Sequence, residues 1–168
     1  MSAKVSKMMR ARAGAFVVAG AAVLMAGMAV PAHATSDSTV WNIPGGNKIT
    51  VNAWHCGLYV NACDWKASTK MSGSNPKNAQ WIQNRAELRA HGVSASLTIS
   101  KTPSATLTMK SRSLGEVRLR NTKTWIADTS GQMKPSKLTV HVSTKSCGSA
   151  QVNSSIKVSE KCAYAGAF

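Results

Sequence analysis

The stretch Val93-Ser94-Ala95-Ser96-Leu97-Thr98-Ile99-Ser100 sets an apolar residue at every second position and a hydroxyl residue in each gap. A β-strand turns successive side chains to opposite faces, so this period describes one apolar and one polar surface. Pro103 interrupts it, and Ala105, Leu107 and Met109 resume it against Thr106, Thr108 and Lys110. Further on, Val117 and Leu119 alternate with Glu116, Arg118 and Arg120, and Leu138, Val140 and Val142 alternate with Thr139, His141 and Ser143. Upstream, Ile49, Val51 and Ala53 follow the same rule, as do Trp65, Ala67, Thr69 and Met71; Ile156 and Val158 close the series. Short half-apolar strands separated by Gly, Pro and Ser predict an all-β chain folded as an antiparallel β-sandwich.

One stretch reads two ways. Asn75, Pro76 and Gly92 would cap, open and stop a helix, so a short helix near 76–91 is one reading. Ile82, Asn84, Ala86, Leu88 and Ala90 also alternate as a strand, and the β character on both sides favours that.

The 168 residues carry 21 Lys and Arg against 6 Asp and Glu, a formal net charge of +15. Such a length suits a single domain. Lys4, Lys7, Arg10 and Arg12 precede an uncharged run from Ala13 to Val30, and Pro31-Ala32-His33-Ala34 places small residues where a leader peptidase needs them. Residues 1–34 therefore read as a secretory signal peptide, cleaved after Ala34. A flexible N-terminal arm over 35–47 is expected next, ending in the turn signal Pro44-Gly45-Gly46, and then a β-sandwich domain over 48–168. The leader takes four basic residues and no acidic ones, which leaves 134 residues at +11. The expectation is a secreted, extracellular protein that spans no membrane once cleaved.

All four cysteines, Cys56, Cys63, Cys147 and Cys162, follow the leader. An even number in an exported chain predicts two disulfides, and the local pairs Cys56–Cys63 and Cys147–Cys162 are favoured among the three connectivities. These spacings match no common zinc arrangement, so neither a metal nor a cofactor is expected. Titratable groups are few, and no nucleophile elbow, HExxH or phosphate-binding loop is present. His55 and Asp64, flanking the first clasp, come nearest to an acid–base pair, while Glu116 beside Arg118 and Arg120 reads as a surface ion pair. The chain is therefore expected to be non-catalytic.

Trp54, Tyr59 and Trp65 surround the first clasp. The two tryptophans read as core packed over the disulfide, and Leu58 and Tyr59, at the loop tip, as partner contacts. Arg118 and Arg120 join them, because a basic strand face attracts polyanions. No nucleic-acid-reading signature is present, so the expected partner is an extracellular protein or an anionic cell-envelope polymer. Two other roles fit the same features: a cationic antibacterial protein (a toxin component or bacteriocin-like), or a protease inhibitor presenting the Cys56–Cys63 loop as bait.

An Ala-rich leader followed by a Ser/Thr-rich, two-disulfide domain resembles small secreted actinobacterial proteins of unassigned function. In size and export it is also similar to adaptor subunits of umbrella-type antibacterial toxin particles. That resemblance implies a binding role in which the polar segment Thr35 to Gly46 is donated to a partner as a strand.

Overall fold

Ten strands occupy the residues that the computed structural model describes, namely 35–55, 62–74, 78–100, 102, 104–136 and 141–166. They are β1 (Thr35–Ile43), β2 (Asn47–His55), β3 (Cys63–Gly73), β4 (Ala79–Ala90), β5 (Ala95–Ile99), β6 (Thr106–Met109), β7 (Leu114–Thr124), β8 (Ile126–Pro135), β9 (Val142–Gln151) and β10 (Lys157–Ala165). One sheet runs β1-β2-β3-β8-β5 and the other β10-β9-β4-β7-β6, with every pair antiparallel. Their apolar faces meet, which gives the antiparallel β-sandwich expected from the period-2 pattern.

The two-way stretch is a strand. No helix forms over 79–90; this segment is β4, the central strand of the second sheet, between β7 and β9. Ile82, Asn84, Ala86, Leu88 and Ala90 all point inward and are buried. Burial on that face decides over the good helix formers Glu87 and Arg89, whose preference is worth only tenths of a kcal/mol.

The segment expected as a flexible arm is likewise ordered. Residues Thr35–Ile43 form β1, paired along their whole length with β2, from Thr35↔His55 to Ile43↔Asn47. Gly45 and Gly46 adopt positive φ (87° and 72°), which lets the Pro44-Gly45-Gly46 signal act as a tight hairpin turn. The strand is polar because its side chains serve β10 across the side of the sandwich. Thr39 Oγ1 donates to the carbonyl of Cys162 (2.8 Å), and the amide of Tyr164 donates to Asp37 Oδ2 (2.8 Å). Ile43 is its buried anchor, and Trp41 packs half-buried against the core beneath Lys161.

The core is apolar at both ends and polar at its waist. Trp65, Ala67, Ala86, Leu88, Val117, Met133 and Val142 fill one end, and Ile49, Met71, Ile82, Leu119, Ala127 and Ala150 the other. Between them Asn84 of β4 donates to Thr69 Oγ1 of β3 (3.0 Å) and to Ser146 Oγ of β9 (2.8 Å). All three are fully buried. The bond to Thr69 joins the two sheets through the centre, and the bond to Ser146 ties β4 to β9 within one sheet. Gly148, opposite Asn84 in the register, makes room for them: a Cβ there would stand 2.3 Å from Val51 Cγ2 and 2.4 Å from Thr69 Oγ1.

Cys147 and Cys162 are register partners on β9 and β10 and form a disulfide, as the local pairing predicts. Cys63 is also disulfide-bonded. Cys56, the other half of the expected clasp, lies outside the described residues, as do Leu58 and Tyr59.

Replacing Asn84 by Ala strands two buried hydroxyls and should destabilise the fold by about 2 kcal/mol. Gly148→Ala should cost about 1–3 kcal/mol by overpacking. Urea midpoints check both, with Ser149→Ala on the outer face as the unaffected control; an Asn84→Ala protein as stable as the parent would refute the polar waist.

Candidate functional site

Because Ile82 through Ala90 point inward at even numbers, the odd residues of β4 (Trp81, Gln83, Arg85, Glu87 and Arg89) point out. The registers set them in rows: Lys145–Glu87–Glu116, and beside it Cys147–Arg85–Arg118. Directly opposed side chains stand about 5 Å apart at Cβ, close enough to interact.

Arg85 is the hub. Its Nε and Nη2 hold the two carboxylate oxygens of Glu160 (3.2 and 2.5 Å), and its Nη1 reaches Glu87 and, at 3.4 Å, Glu116. Glu116 also receives Lys110 Nζ at 2.5 Å and Arg118 Nη2 at 3.0 Å. All three glutamates of the sequence thus converge on one guanidinium. The Glu160 bond raises the Arg85 pKa and in return holds Glu160 below the ordinary carboxylate value. Burial works against ionised Glu116, but the bonds from Lys110 and Arg118 and the charge of Arg85 outweigh it, and its pKa is lowered. Glu116 does face outward into an ion pair, yet it is only 8% exposed, walled in by its partners.

Both arginines singled out in the sequence stand on this face. Arg118 is exposed, opposite Arg85, and tied to Glu116. Arg120 lies with its guanidinium 4.1 Å from the centre of the Trp81 ring, a cation–π contact.

Towards the other end of the same face a cavity of about 220 Å³ is lined by Glu87, Arg89, His91, Leu114, Ser143, Lys145 and Tyr164. Lys145 leans on the Tyr164 ring (5.5 Å to its centre). His91 stacks on His141 with ring centres 3.9 Å apart and bonds Ser143 Oγ through Nε2 (3.0 Å). Burial, then the neighbouring His141 and Arg89, hold the His91 pKa below the usual imidazole value.

Other sequence candidates are not brought together. His55 is fully buried, whereas Asp64 is exposed and accepts from Gln132 (3.1 Å), so the two lie on opposite faces of the first sheet. Trp65 is core as expected, but Trp54 is not. It is half-buried on the outer face of the first sheet, 5.4 Å beneath Lys66, because its neighbours Ala53 and His55 take the inward positions. Among the described residues, Cys147, Glu160 and Cys162 bring possible metal-ligand atoms close together, but both sulfurs are committed to the disulfide. Sequence reading did not find Arg85, Arg89, Lys145 or Tyr164. The i, i+2 spacing of Arg85, Glu87 and Arg89 marks a shared face once β4 is a strand, but their partners lie far along the chain.

No family model matches the chain, and no curated protein matches it. Among solved structures, a collagen-binding domain from a Staphylococcus aureus adhesin is similar at 8% identity. The match covers 78% of this chain and 95% of that one with a TM-score of 0.36, too slight a likeness to bear on what this chain does.

The fold disfavours protonated His91, so stability should fall as pH drops below the unfolded value of 6.5. Glu116 and Glu160 are lowered, so their contribution holds above the unfolded value of 4.5 and is lost as pH falls through the folded values. Acid unfolding midpoints should therefore decline in two stages. His91→Gln, able to keep the Ser143 bond, should flatten the first stage alone; an unchanged first stage would assign it to another group.

Proposed function

We propose that this chain is a secreted, non-catalytic binding protein whose ligand is an acidic extracellular polymer, such as an anionic wall polymer. The distribution of charge carries this reading. Among the described residues the three glutamates are consumed by Arg85, Lys110 and Arg118, and these are the cations found in ion pairs. Among the described residues, Lys48, Lys66 and Lys70 on the first sheet, and Arg89, Arg120 and Lys145 on the second, stand on strand faces in no ion pair. A rigid scaffold with unpaired cations on both faces attracts polyanions at long range. The leader at residues 1–34 and the disulfides suit an oxidising exterior.

A protein partner is a second reading, and Trp125 favours it. This residue follows β7, is 47% exposed and borders a cleft with Met71 and Gly73. Exposed tryptophan beside an apolar cleft is the usual composition of an interface anchor.

Purified protein should bind cell walls that carry anionic polymers and elute between about 0.1 and 1 M salt, as screening shortens from roughly 10 to 3 Å. Walls stripped of those polymers should not retain it. Retention indifferent to both treatments would refute the polymer reading. Recovery of one stoichiometric protein, lost on Trp125→Ala, would put the adaptor reading in its place.

A further inference from the structure

The cavity beside β9 differs from the rest of the charged face in what lines it. Its two cations, Arg89 and Lys145, sit on neighbouring strands one row apart: Arg89 is opposite Ser143, and Lys145 is opposite Glu87. Among the described residues neither is in an ion pair, whereas Arg85 and Arg118 a row away are. Glu87, which lines the cavity opposite Lys145, is already clasped by Arg85. The lining carboxylate is thereby compensated by Arg85, whereas among the described residues Arg89 forms no ion pair and Lys145 acts on Glu160 only beyond ion-pair distance. Leu114, opposite Arg89, and the half-exposed ring of Tyr164 add apolar walls, and Ser143 adds a hydroxyl.

We propose that this cavity is a subsite for one acidic sugar residue of an extracellular polysaccharide, with its carboxylate or sulfate on Arg89 and Lys145 and its ring between Leu114 and Tyr164. The inference rests on the acidic-polymer reading and adds to it a place and a chemical class. Two donors converging from adjacent strands select an oxyanion. A bare phosphate would leave the apolar walls unused, whereas a pyranose presents C–H faces to such walls and hydroxyls to Glu87. A volume of about 220 Å³ admits a single ring, so the rest of a polymer would run out over the face. Lys145 is held against the Tyr164 ring, so both lie together in the cavity lining.

The test is calorimetric titration of the purified protein with a trigalacturonate, a neutral trigalactoside, inorganic phosphate and poly(glycerol phosphate). Trigalacturonate should bind and the neutral sugar should not. Arg89→Gln and Lys145→Gln should each weaken trigalacturonate binding by about tenfold or more, the loss expected for a charge-assisted bond. Lys134→Gln and Lys157→Gln remove the same charge at exposed positions elsewhere and should stay within about twofold. If all four variants weaken binding alike, attraction is diffuse: the subsite is overturned and the polymer reading stands. If phosphate or poly(glycerol phosphate) binds as tightly as the uronate, the sugar class is overturned. If no polyanion binds, both readings fall together. Arg89 is exposed, so unchanged melting of Arg89→Gln separates lost binding from lost folding.

Discussion

The two hydrogen bonds given by the Asn84 amide hold the rest in place. Both N–H bonds of this buried amide go to other strands, one in each sheet, while its Oδ1 has no partner among the described residues. Sliding β4 by a single residue would turn Asn84 to solvent and bring Arg85 into the apolar core. The bond to Ser146 therefore fixes β4 against β9, and the bond to Thr69 fixes one sheet over the other. Gly148 belongs to the same device, since any side chain there would occupy the space of Thr69 and Val51. Once this register is set, the rows on the outer face follow, and the hub at Arg85 is as much a product of the core as of its own charges.

That face shows how a strongly basic chain can be selective about where it is basic. Three acidic side chains gathered on one guanidinium leave most other cations unopposed. The consequence is two neighbouring zones on a single sheet. One is a rigid, internally neutral network around Arg85. The other is the Arg89–Lys145 cavity, where positive charge is available at short range. A formal charge of +15 describes neither zone, because net charge reports attraction and not address.

The sandwich was legible because period-2 alternation is imposed by burial on one face, and the inward residues of β2, β3 and β7 obey it; β9 does not, since its inward positions include Thr144, Ser146 and Gly148. β4 stayed ambiguous because Arg85, Glu87 and Arg89 suit a helix surface as well as a strand surface, and only the neighbours β7 and β9 decide. β1 was misread as an arm because its polarity looks like solvent exposure. Thr39 and Asp37 are in fact spent on backbone groups of β10, a partner more than a hundred residues away. The same distance hid the candidate site: Arg85 and Glu160 meet only through folding. Trp54 was misplaced because an aromatic residue beside a cysteine suggests core, whereas strand parity gives that position to the outer face.

The lacing of β1 to β10 also orders events in time. The first strand of the sandwich completes its hydrogen bonding on the last, so a chain emerging from its N-terminus cannot close this edge until its final strand has appeared. Until then β9 lacks its outermost partner, β10, although β1 can already pair with β2. Non-local closure of this kind is slow relative to local pairing.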